Sequence, residues 1–206
     1  MRLYIIRHGE TPWNTQLRLQ GQTDVELNEK GRALAKATAQ ALRSVPFDIV
    51  ITSPLARARE TAVNVAKDRD IPFLEDARIR EISFGEMEGR HVPKEERQDP
   101  NSKFYSFFND PEHYVPAEGG ESIIDLCSRA AAFLDDLKQK QAWKDKTILV
   151  STHGAASRAL LLAVKKIPLK DFWQGGVPKN CAVSILDLEH GNWCIKEQDV
   201  VYYENV

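Results

Sequence analysis

Several common signatures are missing from this chain, and each absence removes a class of function. No Cys-x-x-Cys pair occurs. The only cysteines, Cys127, Cys181 and Cys194, are odd in number and widely spaced, which argues against both a disulfide framework and a zinc site. Buried free thiols in a reducing compartment are the expected state. Neither sign of charge is in excess: a net charge of −2 provides no basic field for nucleic acid or anionic lipid. No apolar run approaches the roughly 20 residues of a membrane span; the longest candidate, Ala159 to Val164, is far too short. Met1-Arg2-Leu3 enters a strand pattern directly, so no signal peptide is expected. His-x-His and His-Glu-x-x-His are absent, as are internal repeats and low-complexity segments. These features predict a cytoplasmic protein with no nucleic-acid or membrane partner.

The 206 residues, 42% hydrophobic and 28% charged, suffice for one soluble domain with a proper core. Short apolar runs alternate with helical patterns. Leu3-Tyr4-Ile5-Ile6, Asp48 to Thr52, Phe73-Leu74 and Thr147 to Ser151 read as strands. Asn28 is a plausible N-cap for a helix carrying Leu34, Ala37, Ala41 and Leu42. Ser53-Pro54 is expected to cap a helix containing Arg57. Ser122 to about Lys140 places Ile123, Leu126, Ala130, Phe133, Leu134 and Leu137 on one helical face, and residues 155–165 form another helix. Ala182 to Leu188, a turn at Glu189-His190-Gly191-Asn192, and Trp193 to Tyr203 read as a hairpin. Strands that are apolar throughout and alternate with helices predict an α/β fold, a three-layer αβα sandwich on a mostly parallel sheet with antiparallel strands at an edge.

Chemistry-bearing residues follow three of these strands. His8 follows the first, Arg57 lies just beyond the second, and His153 follows the strand at 147–151. In a parallel sheet these carboxyl ends share one edge, where ligands bind. Two imidazoles and the guanidiniums of Arg7 and Arg57 converging there suit a phosphate, whose oxygens need several donors. The same cations oppose a metal ion, and no metal is expected.

The motifs then carry a resemblance. Arg7-His8-Gly9-Glu10-Thr11 with Trp13-Asn14, Gln20-Gly21 with Asp24 and Leu27, and Ser53-Pro54-Leu55-Ala56-Arg57-Ala58 with Glu60-Thr61-Ala62 resemble the histidine phosphatase superfamily, in its cofactor-dependent phosphoglycerate mutase-like branch. Arg80-Glu81 with Phe84-Gly85, Glu88-Gly89, Gly120-Glu121-Ser122 and Thr152-His153-Gly154 extend the likeness over nearly the whole chain, in order. Met87 stands where many relatives have Trp.

That resemblance implies a single domain spanning 1–206, with a small lid or insert at about 86–121. It also implies a phosphomonoester hydrolase of the acid type, working on a small organic phosphate without metal or cofactor. His8 resembles the nucleophile that becomes phosphohistidine, Arg7, Arg57 and His153 the phosphate pocket, and Glu81 the general acid. Asn14, Gln20, Gly21 and the backbone of Gly154 match positions that contact phosphate or substrate. A cofactor-dependent phosphoglycerate mutase is the alternative, disfavoured by the modest length and by an insert rich in aromatics rather than cations.

Blander readings stand beside these roles. Glu81 could pair with Arg78 or Arg80, and Glu86 and Glu88 are equally acidic neighbours. Trp13 reads as core. Arg59, His91, His113 and His190 read as surface. Phe104, Tyr105, Phe107, Phe108 and Tyr114 either anchor the insert or wall the site. The insert's cations Lys94, Arg97 and Lys103 are too few to provide well for a second phosphate. A homodimer through the hairpin edge is possible.

Overall fold

The computed structural model describes residues 1–67 and 69–203. Six strands, β1 (Arg2–Arg7), β2 (Ile49–Thr52), β3 (Phe73–Glu75), β4 (Thr147–Thr152), β5 (Val183–Glu189) and β6 (Asn192–Val200), form one sheet in the order β3-β2-β4-β1-β5-β6. The first four are mutually parallel, β5 runs antiparallel to β1, and β6 returns antiparallel at the edge. The expected sandwich, including its antiparallel hairpin, is the architecture found.

Alternation along each central strand builds two cores. Leu3, Ile5, Ile51, Ile148 and Val150 face one side, where helices α6 (Ile123–Gln139) and α7 (Gly154–Lys165) cover them. Tyr4, Ile6, Val50 and Leu149 face the other, against α2 (Glu29–Ala41) and α3 (Ala56–Val65). Burial on both faces is why these strands read as unbroken apolar runs. β3 departs from this: all its residues are exposed at the sheet edge, so Phe73 and Leu74 are not core.

Local signals explain most helix boundaries. Asn28 does cap α2, its side chain accepting the Gly31 N–H at 2.7 Å, and Ser122 caps α6 by accepting the Asp125 N–H. The α3 start differs from expectation. Its N-cap position is Leu55, which makes no side-chain bond there; Asp24, distant in sequence, accepts the Ala56 N–H at 2.7 Å instead. The segment after β1 holds a short helix α1 (Pro12–Thr15) closed by a Thr11/Asn14 capping box. The insert contains α4 (Lys94–Gln98) and α5 (Tyr105–Asn109), and its Phe104 and Phe107 are sunk into the α6/α7-side core. Cys181 is buried while Cys127 and Cys194 are only partly so, and all three are free thiols. No helix among the described residues is long and apolar enough to cross a membrane.

Candidate active site

The strand order places the ends of β2, β4 and β1 side by side, and the residues that follow them meet. The His8 and His153 rings lie 5.2 Å apart, centre to centre. His8 is anchored as its chain leaves the sheet, its N–H donating to the Thr152 carbonyl at 2.9 Å. Its Nδ1 lies 2.7 Å from the Gly9 carbonyl oxygen. A carbonyl can only accept, so Nδ1 carries the proton and Nε2 presents a lone pair. Burial, with Arg57 and Arg7 adding to it, holds the His8 pKa well below 6.5, so the ring is neutral at physiological pH.

Arg57 has no solvent exposure. Its guanidinium donates to the Gly21 carbonyl at 2.7 Å and the Thr23 carbonyl at 2.9 Å. Desolvation lowers its pKa to about 10, which still leaves it charged. Gly21 can offer that carbonyl because its φ is +54°; a Cβ there would collide with the Glu88 carboxylate. Arg7 donates to the Pro178 carbonyl, and desolvation lowers its pKa as well.

Among the described residues, six buried side-chain polar atoms lack any partner, and four of them belong to this cluster: Arg7 Nε, Arg57 Nε, His153 Nδ1 and Gln20 Oε1. A buried polar atom without a partner costs about 1–3 kcal/mol. Several in one place mark a site built for a polar guest.

Glu81 sits across the cleft. Its carboxylate accepts the N–H groups of Ala155 at 3.2 Å, Ala156 at 3.0 Å and Ile82 at 3.1 Å. The first turn of α7 therefore serves Glu81. The rival acids are otherwise engaged. Glu88 accepts from the backbone of Gln22, Thr23 and Phe84, and Glu86 lines a separate cavity. Nor does Glu81 pair with its neighbours: Arg78 binds Asp76 and Asp136, and Arg80 bonds the Ala77 carbonyl.

An open cleft of about 320 Å³ connects these groups. Arg7, His8, Asn14, Gln20, Gly21, Arg57, Glu81 and Gly154 all line it. His153 does not; it lies behind, with no exposure, its Nε2 2.7 Å from Ser53 Oγ. Asn14 Oδ1 accepts from Thr11 and Asn180, which leaves its amide N–H donors for the cleft. Trp13, read as core, is a wall of the cleft, as are Phe107, Phe108 and Trp173.

Of the three insert cations counted as too few for a second phosphate, Arg97 lines the cleft. It stacks on Phe108 at 4.9 Å and its Nε donates to the Val92 carbonyl. No carboxylate pairs with it among the described residues, and its pKa is lowered by desolvation alone. Lys94 and Lys103 are surface side chains. Arg59 is exposed and paired with Glu75, and His91, His113 and His190 are exposed as expected.

Known proteins resemble this chain in sequence and in fold. The family model for the histidine phosphatase superfamily (branch 1) matches residues 3–200. The chain belongs to that superfamily. It is 32% identical over 189 residues, 92% of this chain and 87% of the other, to a protein named Phosphoserine phosphatase 1 from Hydrogenobacter thermophilus. It is 33% identical over 163 residues, 78% of this chain and 74% of the other, to a 2,3-bisphosphoglycerate-dependent phosphoglycerate mutase 2 from Gloeobacter violaceus. Among solved structures, YhfR of Bacillus stearothermophilus superposes with a TM-score of 0.89 at 33% identity, covering 98% of this chain and 99% of that one.

Sequence reading missed several supports of this cleft. Thr61 Oγ1 accepts the Gly9 N–H at 2.9 Å, and Asn180 Nδ2 donates to the His8 carbonyl at 3.0 Å. Thr61 lies in a quoted motif, but nothing in its spacing shows that it reaches the β1 loop. Asn180 and Trp173 belong to an irregular stretch without any periodic signal.

Proposed function

We propose that this chain hydrolyses phosphomonoesters, acting as one domain, through a phosphohistidine on His8. The observation that carries the reading is the cluster of unsatisfied buried donors on Arg7, Arg57 and His153 around a histidine whose Nε2 lone pair is free. Nε2 attacks phosphorus in line, and the bond from phosphorus to the ester oxygen breaks. Arg7 and Arg57 neutralise the equatorial oxygens, and His153 donates from behind. Glu81 gives the departing oxygen its proton. Water, deprotonated by Glu81, then attacks the phosphohistidine and frees inorganic phosphate. Asn14 and the Gly154 backbone orient the phosphate, while Gln20 and Gly21 hold the loop that carries Arg57's acceptors. No metal takes part: the buried cations would repel one.

The relatives' names divide between hydrolase and mutase. Hydrolysis is favoured by what the insert brings to the cleft, two phenylalanines and one arginine, which is scant cover for a bisphosphate passed between two hydroxyls. Arg97 also narrows the substrate. A half-buried cation with no carboxylate partner suits a second, planar anion on the organic part. Phosphoserine and phosphoglycerate, the compounds in those relatives' names, both carry a carboxylate.

Steady-state assays on phosphoserine, 3-phosphoglycerate and 4-nitrophenyl phosphate test both points. Hydrolysis proceeds undiminished with chelator present. Arg97→Ala loses ten-fold or more in kcat/KM on the two carboxylates, as expected for a charged hydrogen bond of about 1.5–3 kcal/mol, and less than three-fold on the nitrophenyl ester. Magnesium dependence, or fast phosphoglycerate isomerisation stimulated by 2,3-bisphosphoglycerate, overturns the proposal.

A further inference from the structure

Ser53 reads in the sequence as a helix cap, but its hydroxyl does something else. The side chain is fully buried at the end of β2, and Oγ lies 2.7 Å from His153 Nε2. The Leu55 N–H donates to the same oxygen from 3.4 Å, which takes up one lone pair and leaves the buried hydroxyl proton in need of an acceptor. Among the described residues no other acceptor engages the Ser53 hydroxyl. The His153 ring is its one outlet.

We infer that Ser53 is a positioning residue that fixes the tautomer of His153, donating its hydroxyl proton to Nε2 so that Nδ1 carries the ring proton into the phosphate pocket. His153 Nδ1 is buried and has no protein partner, so the atom that Ser53 equips with a proton is the atom left waiting for an acceptor. The arrangement mirrors His8. There a backbone carbonyl places the proton on Nδ1 and leaves Nε2 bare; here a hydroxyl occupies Nε2 and leaves Nδ1–H outward. One imidazole thus offers the phosphoryl group a lone pair, and the other offers a proton. With the opposite tautomer, His153 would turn a lone pair toward the phosphate oxygens and repel them.

A protonated His153 would serve as a donor without Ser53, but its surroundings oppose that. Burial pushes its pKa well below 6.5, and Arg57, His8, Arg129 and Arg7 add to this in the same direction. Neutral His153 has a donor at Nδ1 only while something holds Nε2 as the acceptor. Serine, which can donate, meets that need, whereas an alanine of similar size does not.

Nitrogen NMR of the protein labelled in its histidine rings reads the tautomer directly and needs no enzyme assay. At neutral pH, wild-type His153 is expected to show a protonated Nδ1 and a bare Nε2. In Ser53→Ala the bare nitrogen moves toward Nδ1. Steady-state kinetics, which rest on the phosphatase reading above, are expected to show kcat ten- to hundred-fold lower in Ser53→Ala with KM changed less than three-fold, and recovery in Ser53→Thr. A wild-type ring protonated at Nε2, or at both nitrogens, overturns the inference even if the variants fail to fold. So does a Ser53→Ala protein with unchanged spectrum and kcat. Loss of the phosphatase reading leaves the spectroscopic result standing, so the two failures are distinguishable.

Discussion

His8 and His153 are neutral because folding buries them among arginines, and that neutrality links the site to pH. Both pKa values are lowered well below 6.5, chiefly by desolvation. The unfolded chain therefore binds protons that the folded chain refuses. The stability this gives is complete above pH 6.5 and is lost as pH falls below it, each histidine weakening the fold by about 1.4 kcal/mol per pH unit. Exposed His113, raised by Asp110, works in the opposite sense but is screened by solvent. The thermal midpoint is expected to stay level from pH 8 to 7 and to fall toward pH 5, with a shallower fall in His153→Gln. A midpoint that rises toward pH 5 contradicts the assignment of two buried neutral rings. His8 keeps its Nε2 lone pair over the same range, which the proposed phosphohistidine chemistry requires.

At the scale of elements, α6 reaches across the fold to place Glu81. Arg129, on α6, forks onto Glu121 at 2.6 and 2.8 Å and donates to the carbonyls of Arg78, Arg80 and Glu81 at 2.6, 2.7 and 3.0 Å. The irregular segment after β3 has no ladder of its own to fix it, so this brace does. Arg129→Met is expected to lower kcat at least ten-fold and the thermal midpoint by several degrees, since charged hydrogen bonds are worth about 1.5–3 kcal/mol each. Steady-state rates and a thermal melt check this; unchanged kcat contradicts it. None of this brace is visible in spacing. The sequence showed β1, β2 and β4 clearly, because strands buried on both faces write themselves as apolar runs. It also located β3 at Phe73-Leu74, which is an exposed edge rather than a buried strand, and credited the start of α3 to Ser53-Pro54, because the true cap comes from Asp24 in another loop. Capping from a distance leaves no local pattern.

For the whole molecule, the order β2-β4-β1 matters most. It puts the residues after three strands, far apart along the chain, around one cleft. Parallel strands with shared carboxyl ends were enough to anticipate the meeting of His8, Arg57 and His153. Motif likeness was needed to choose Glu81 over Glu86 and Glu88, and only coordinates separate them: one lines the cleft, one caps a loop, one faces elsewhere. The walls of the cleft were the least legible part. Trp13, Phe108, Trp173 and Arg97 come from three segments, and their convergence depends on how the insert docks against the α6/α7 face. The claim beneath the whole account is covalent capture by His8. Rapid acid-free quenching of the enzyme during turnover of 4-nitrophenyl phosphate, followed by peptide mass spectrometry, tests it directly. Phosphate on the peptide Arg2–Arg7 extended through His8, localised to the His8 ring and absent in His8→Ala, is the predicted result. Full turnover with no phosphorylated peptide, or with phosphate on a different side chain, would contradict it.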